Sequence, residues 1–197
     1  MATPAQQNLH DQNAQYAESF NQGHLALPPA KKYLVLTCMD ARIDSAAAFG
    51  ISLGDAHVIR NAGANASDAL RSIVISQQLL GTREILLVKH TGCGMLTFTN
   101  EQARVLVEKN LVGDADGVDG VDGVDGGGIG GRGALNIGFK VRQALRSELE
   151  DFRPFERLEE AVRSDVKWLS GHVLVKAGIP ISGWVYEVET GKVRRVV

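Results

Sequence analysis

The chain has two cysteines among its 197 residues, and each lies beside other side chains that can bind metal or move protons. The first segment is Cys38-Met39-Asp40-Ala41-Arg42, and the second is His90-Thr91-Gly92-Cys93. Two thiolates and a neutral imidazole are three of the four ligands that tetrahedral zinc prefers, and a centre with three protein ligands leaves one position open for water. The residue types therefore predict a catalytic Zn²⁺ held by Cys38, His90 and Cys93.

Each segment follows an apolar run of the kind that forms a buried strand. The runs are 33–36 before the first segment and 85–88 before the second, both bounded by turn or polar residues. We expect two parallel strands, whose carboxyl ends open onto the crevice where α/β proteins bind ligands. The three metal ligands would then lie at neighbouring strand ends.

The rest of the chain alternates helical and strand patterns, which favours crossover units and a parallel sheet. Helices are predicted at about 44–49, 70–80, 101–111, 135–149 and 155–169, with Asn65 or Ser67 capping the second and Gly81 ending it. Further strands are predicted at 57–59, 173–175 and 184–188, the last being antiparallel at an edge. The predicted fold is α/β, with a mainly parallel central sheet flanked by helices.

Residues 1–29 are predicted to form an N-terminal helical arm. Leu9, Tyr16 and Phe20 recur at helical offsets, and this narrow apolar stripe can dock on a surface but cannot make its own core. A frayed terminus is the alternative. Pro28-Pro29 separates the arm from residues 30–197, which we expect to be one catalytic domain.

A segment rich in glycine and aspartate at 113–133 interrupts this domain. It repeats Val-Asp-Gly three times between residues 118 and 126. The spacing of the aspartates matches neither an EF-hand loop nor a calcium β-helix repeat. Because glycine loses the most backbone entropy on folding, we expect a flexible inserted loop.

The composition argues against several classes of partner. A formal net charge of -2 gives no broad basic surface for nucleic acid or an anionic membrane. No apolar run resembles a secretory signal or a membrane span, so we expect a cytoplasmic protein whose thiols stay reduced. Two buried core cysteines, or a disulfide between Cys38 and Cys93, are alternatives to the metal centre, but neither accounts for His90.

The two segments together resemble the motifs of the β-class carbonic anhydrases, Cys-x-Asp-x-Arg followed by His-x-x-Cys. The stretches 54–63 and 183–191 are also similar to family segments, and the resemblance covers roughly residues 30–195. It implies reversible hydration of carbon dioxide by hydroxide on Zn²⁺, with Asp40 and Arg42 acting as a catalytic pair. Arg42 would hold the Asp40 carboxylate in a bidentate ion pair, and a freed Asp40 would be a possible fourth zinc ligand.

The resemblance leaves the substrate open. The compact subgroup that carries the Met-Asp-Ala-Arg version of the motif includes hydrolases of carbonyl sulfide and carbon disulfide, which are linear like carbon dioxide. A zinc-binding scaffold without turnover is a third hypothesis, although it has no use for Asp40 and Arg42. The family also implies a homodimer or homotetramer in which the N-terminal arm reaches a partner subunit. His10, His24, His57 and His172 match no constellation and are expected to be surface or neighbouring residues rather than ligands, with a position of His57 near the site as an alternative.

Overall fold

The computed structural model of the chain describes residues 1–112 and 132–197. The strands are β1 (Tyr33–Cys38), β2 (His57–Asn61), β3 (Glu84–His90), β4 (Ile181–Tyr186) and β5 (Val193–Arg195). The helices are α1 (Pro4–Ser19), α2 (Ser45–Phe49), α3 (Leu70–Gln78), α4 (Asn100–Val112), α5 (Arg132–Ser147) and α6 (Leu158–Gly171). Two single-turn 3-10 helices, Ala62–Ala64 and Gly94–Leu96, follow β2 and β3.

The five strands form one sheet in the order β2-β1-β3-β4-β5. The first three pairings are parallel, and only β4 and β5 run antiparallel. The predicted α/β fold with a mainly parallel sheet is confirmed. The edge strand was misplaced, however, because residues 184–186 of the segment predicted at 184–188 belong to β4, which runs parallel to β3, and the antiparallel edge is β5.

The three central strands, β1, β3 and β4, are largely buried on both faces, which explains why their sequences are mostly apolar without alternation. On one face, Leu36 of β1 and Leu87 of β3 pack with Ile73 of α3 and Val162 of α6. On the other face, Val35 belongs to a second apolar cluster that contains both cysteines. The candidate ligands therefore lie at the margin of a packed core.

Helix α6 lies very close to β4, and this approach requires glycine at position 183. A Cβ atom built on Gly183 would lie 2.4 Å from Cγ1 of Val162, which is too close for any other residue. The absence of a side chain there lets α6 rest directly on the sheet. This contact brings the polar residues of α6 within reach of β3.

The strand predicted at 173–175 is wrong. The backbone of this segment turns instead, because Leu174 N–H donates to His172 Nδ1 (3.2 Å) and Val175 N–H donates to the His172 carbonyl (3.0 Å). Val173 is 93% exposed, so only Val175 of the three residues is buried. Three apolar residues are too few to outweigh a turn whose backbone hydrogen bonds are made locally.

The helix predictions hold in existence but not at every boundary. Helix α3 has Ala69 at its N-cap without a side-chain hydrogen bond, and the predicted cap Asn65 accepts from the Asp68 N–H one turn earlier. The helix ends at Gln78, ahead of Gly81. Helix α6 begins at Leu158 rather than at residue 155.

The N-terminal helix exists as predicted, and none of its residues is buried. The predicted insertion at 113–133 lies outside the described residues except for its last two positions, which begin α5. Within 1–112 and 132–197, none of the helices has the length and apolar character needed to cross a bilayer.

Candidate metal centre

The sheet brings the two cysteine-containing segments together. Cys38 is the last residue of β1 and His90 is the last residue of β3, and these two strands are direct neighbours. Cys93 follows in the turn that enters the Gly94–Leu96 helix. All three side chains are buried. The prediction that they lie at neighbouring strand ends is confirmed.

The three donor atoms converge on one point. The sulfur atoms of Cys38 and Cys93 and a ring nitrogen of His90 all lie within 4.8 Å of one another. Two thiolates that each lie about 2.3 Å from a tetrahedral zinc would be about 3.8 Å apart. The three donor atoms therefore need to move by only a small distance to coordinate one zinc ion. Within the part of the chain that the structure describes, no other group of three or more His, Cys, Asp or Glu side chains is arranged in this way.

The imidazole of His90 is oriented for metal binding. Its Nδ1–H donates to the Thr91 carbonyl oxygen (2.9 Å), which leaves the lone pair on Nε2. Nε2 is buried and has no hydrogen-bond partner. A buried nitrogen without a partner is unfavourable unless a ligand satisfies it, and a metal shared with the two sulfur atoms would do so.

The two thiols influence each other's ionisation. Hydrogen bonding from Cys93 lowers the pKa of Cys38, and the backbone N–H of Gly63 acts in the same direction at 3.3 Å from the Cys38 sulfur. The same interaction with Cys38 raises the pKa of Cys93, and burial raises it further. A divalent cation would require both thiols to lose their protons, since thiol ligands are deprotonated when they bind.

Asp40 and Arg42 form a bidentate ion pair beside these ligands. Arg42 Nε donates to Asp40 Oδ1 at 2.9 Å, and Arg42 Nη2 donates to Asp40 Oδ2 at 2.7 Å. Arg42 Nη2 also donates to the Gly92 carbonyl (3.0 Å), which ties the first segment to the second. These hydrogen bonds hold the pKa of Asp40 well below its usual value. Asp40 Oδ2 lies 3.8 Å from His90 Nε2, on the side where the donor atoms converge.

Sequence reasoning assigned no role to Arg60, which contacts the first segment from β2. Its Nε donates to the Cys38 carbonyl (3.0 Å), and its Nη2 donates to the Asp40 carbonyl (2.7 Å). These bonds fix the backbone on both sides of Met39. The only signal for this role was that Arg60 lies in the stretch similar to the family.

Lys89, next to His90, was also missed. Its ammonium group is buried and makes an ion pair with Asp165 of α6 at 2.9 Å. The sequence carried a signal, since a lysine inside a buried apolar run needs a partner. It did not indicate which acidic residue that partner would be.

His57 is not a ligand, as expected, and the alternative that places it near the site is wrong. It lies at the start of β2, opposite Leu34, and its Nδ1 is 2.7 Å from the hydroxyl of Ser76. The site is at the other end of the parallel strands. His172 likewise lies elsewhere, with its ring 4.5 Å from that of Trp168.

Comparison with known proteins bears on this arrangement. The family model described as "Carbonic anhydrase" matches residues 33–115, which include all three candidate ligands. Beta-carbonic anhydrase 1 of Mycobacterium tuberculosis is 50% identical over 97 residues, 49% of this chain, and the match spans 59% of the length of that protein. The carbon disulfide hydrolase of Acidianus sp. is 33% identical over 180 residues, 86% of this chain and 79% of its own length.

The fold comparison agrees. The crystal structure of carbonic anhydrase from Streptococcus mutans superimposes with a TM-score of 0.77 at 36% identity, and the match covers 100% of both chains. The match with the Acidianus protein exceeds 30% identity and spans most of both sequences, and the fold match spans the whole of this one. On these grounds the chain belongs to the β-carbonic anhydrase family, an enzyme family whose members include carbon disulfide hydrolases.

Proposed function

We propose that this protein catalyses the zinc-dependent, reversible hydration of carbon dioxide to bicarbonate. The observation that carries the proposal is the convergence of Cys38, His90 and Cys93 beside the Asp40–Arg42 ion pair. A structural zinc is normally closed by four protein ligands. Three ligands with an ionised carboxylate next to them suit a centre that activates water.

Each residue has a distinct part in this proposal. Cys38, His90 and Cys93 would hold Zn²⁺, which supplies a water of lowered pKa as the nucleophile at neutral pH. Asp40, kept ionised by Arg42, accepts a hydrogen bond from that water and orients it toward the carbon atom of the substrate. Arg42 fixes the direction of the Asp40 carboxylate through its two parallel hydrogen bonds.

The state of Asp40 decides whether the centre is open. A carboxylate that leaves Arg42 could become the fourth metal ligand and exclude water. The bidentate pair and the Arg42 backbone N–H, which donates to Asp40 Oδ1 (2.9 Å), favour the open state, because these three hydrogen bonds must break before Asp40 can turn. The Arg42 contact to Gly92 keeps the guanidinium group in place.

Hydrolysis of carbonyl sulfide or carbon disulfide is the second candidate function. It is supported by the carbon disulfide hydrolase of Acidianus sp., whose match spans 86% of this chain, whereas the mycobacterial carbonic anhydrase match spans 49%. The same residues would orient water toward the carbon atom of these linear molecules. The hydrolase match is longer, but its identity is lower than that of the carbonic anhydrase match, 33% against 50%. Coverage therefore favours one substrate and identity favours the other.

Paired assays on protein with verified zinc content distinguish the hypotheses. We expect stopped-flow hydration of carbon dioxide to be faster than sulfide release from carbonyl sulfide or carbon disulfide. The reverse order would assign the protein to the hydrolases. Failure of all three reactions in zinc-loaded protein would favour a non-catalytic scaffold. Protein stripped by a chelator gives the background, and readdition of Zn²⁺ must restore the rate.

We also propose that the protein is a homodimer or homotetramer that acts in the cytoplasm. Helix α1 supports the first point, because it has no buried residue and exposes Leu9, Tyr16 and Phe20. A centre that needs two reduced thiols suits a reducing compartment. Light scattering at micromolar concentration tests the assembly, and a monomer there would contradict it.

A further inference from the structure

Lys89 is one of the most deeply buried charged residues of the described chain. Its exposure is 2%, and its Nζ atom has four neighbours. It lies 2.9 Å from Asp165 Oδ2, donates to the carbonyl oxygens of Gly63 (2.7 Å) and Ala64 (3.2 Å), and sits 4.8 Å from the centre of the Phe155 ring. The ammonium group is therefore fully engaged, and two of its bonds go to one short turn.

That turn has an unusual backbone conformation. Gly63 has φ +70° and the following Ala64 has φ +52°, both in the left-handed region that non-glycine residues avoid. Ala64 needs surrounding contacts to remain there. Lys89 supplies them by binding the carbonyl groups of both residues.

Asp165 holds the same segment from the other side of the ammonium group. Its Oδ2 atom accepts a hydrogen bond from the Ala66 N–H at 3.3 Å as well as the ion pair from Lys89. Residues 63 to 66 are thus anchored to β3 and α6 through one buried charge pair.

The Gly63–Ala64 turn also contacts the candidate metal centre. The Gly63 N–H points at the Cys38 sulfur, 3.3 Å away, and is a donor to that sulfur in the described structure. A side chain at position 63 would bring its Cβ to 2.7 Å from Cγ of Met95, so the backbone approaches the sulfur only because glycine is there.

We propose that Lys89 and Asp165 form a positioning pair for the metal centre, which holds the Gly63–Ala64 turn so that the Gly63 N–H donates to the Cys38 sulfur. This hydrogen bond fixes the position of a metal ligand and offsets part of the negative charge on its sulfur, and so strengthens the binding of Zn²⁺. The inference rests on the proposed function in that Cys38 is taken to be a zinc ligand. Lys89 is not a catalytic residue, since it acts through the turn.

A purely structural role would look different. An ion pair that only fastened α6 to the sheet would need no bonds to Gly63 and Ala64, and its loss would lower stability without changing the electronic environment of a metal at Cys38. The two roles therefore separate when metal affinity and ligand spectroscopy are measured together with stability.

The test compares Lys89→Met with Leu169→Ala in the full chain. Lys89→Met keeps most of the side-chain volume and removes the charge, whereas Leu169→Ala opens a cavity beneath α6 in the same core cluster. Zinc affinity is measured by chelator competition, and Co²⁺ replaces Zn²⁺ to report sulfur-to-metal charge-transfer absorption. Thermal unfolding is recorded for each variant.

We expect Lys89→Met to bind Zn²⁺ about 10- to 100-fold more weakly and to shift the charge-transfer band, as losing a partner of a metal ligand does elsewhere. Leu169→Ala should lose stability while keeping the affinity and the band of the starting protein. Lys89→Arg, which retains the charge, should recover part of the affinity. If Lys89→Met fails to fold, Asp165→Asn tests the same pair and should shift the band in the same direction.

Unchanged affinity and an unchanged band in the folded charge-pair variant would overturn the inference and leave the proposed function intact. Conversely, a starting protein that binds Zn²⁺ but turns over none of the three substrates would refute the proposed function while the Lys89 comparison could still succeed. A starting protein that does not bind Zn²⁺ at Cys38 would refute both.

Discussion

The candidate metal centre and helix α1 differ in what holds their side chains in place. At the centre, the supporting hydrogen bonds join distant parts of the chain, as Arg42 does to Gly92 and Arg60 does to Cys38. In α1 the supporting bonds are local. Thr3 and Gln6 form a capping box, and Gln7 binds Asp11 within the helix.

This difference shows which part of the molecule is stabilised by the packed core and which part is not. The centre is positioned by the parallel strands β1 and β3, which are buried between two apolar clusters, so it shares the stability of the core. Helix α1 has 16 residues, none of them buried, and a helix of that length is marginal in water without a packing surface. A second copy of the chain would provide such a surface, which is why the exposed stripe supports an oligomer.

The largest expected effect is the loss of a metal ligand. We expect Cys93→Ser to weaken zinc binding by more than about 100-fold and to abolish turnover, because loss of an outer partner alone already weakens binding 10- to 100-fold. Elemental analysis after gel filtration measures the zinc content. Thr97→Ala is the control in the same loop, since its hydroxyl binds only the Gly94 carbonyl among the described contacts. Stoichiometric zinc in Cys93→Ser would remove Cys93 from the centre.

The next effect separates metal binding from catalysis within the centre. Asp40→Asn should retain zinc but lower turnover by about 10²- to 10⁴-fold, because a neutral amide oxygen is a weaker hydrogen-bond acceptor than the carboxylate and cannot form the ion pair with Arg42. Asp44→Asn is the matched control, because the Asp44 side chain only caps α2 through Ala46 and Ala47 among the described contacts, and asparagine caps equally well. Full activity in Asp40→Asn would show that the carboxylate takes no part in the mechanism.

A pair of leucines tests the contrast in stability directly. Leu87 in β3 is 0% exposed, whereas Leu9 in α1 is 71% exposed. We expect Leu87→Ala to lower the free energy of unfolding by about 2–5 kcal/mol. Leu9→Ala should change it by about 0.5 kcal/mol or less within a single chain. Urea unfolding of zinc-loaded protein at two concentrations provides the measurement.

The concentration dependence decides how the Leu9 result is interpreted. A loss in Leu9→Ala that changes with protein concentration would place the arm in an interface between subunits. A loss as large as that of Leu87→Ala at every concentration would contradict the contrast, since it would mean that α1 stabilises the single chain.

The convergence of Cys38, His90 and Cys93 could be predicted from the sequence because its signals are local. Cys38 and His90 each end an apolar run, and parallel strands place their carboxyl ends together, so the convergence follows from general rules. The Asp40–Arg42 pair was implied by the resemblance to the family, and the structure shows it in bidentate form.

What the sequence did not predict depends on tertiary contacts. Lys89 signalled a need for a buried partner, but only the packing of α6 on Gly183 brings Asp165 to it. The strand predicted at 173–175 failed for the opposite reason. Its apolar composition suggested a strand, whereas hydrogen bonds from its backbone to His172 hold it in a turn. Rules based on sequence pattern do not predict interactions between distant elements. They also fail where local hydrogen bonds compete with a weak apolar pattern.

The smallest expected effect concerns two exposed carboxylates. Asp151 is bound by a residue from a distant part of the chain, as the residues of the centre are, and Asp11 is bound within its own helix. Asp151 follows α5 and accepts hydrogen bonds from the Arg153 N–H (2.7 Å) and from Asn100 Nδ2 (2.8 Å) of α4. These bonds lower the pKa of Asp151. Asp11 in α1 binds only Gln7 and His10 of its own helix among the described contacts.

A lowered pKa in the folded state stabilises the protein above the unfolded pKa, which is about 3.9 for aspartate, and this stabilisation is lost as the pH falls through the folded value. We therefore expect Asp151→Asn to be less stable than the starting protein at pH 7, with a difference that shrinks below about pH 4. Asp11→Asn should match the starting protein throughout. Urea unfolding between pH 7 and 3 measures both variants, and taking differences cancels the shared loss of metal in acid. Only the charged form of Asp151 gains from these hydrogen bonds. A difference in the free energy of unfolding that stays constant with pH would therefore mean that packing, rather than charge, holds the segment after α5.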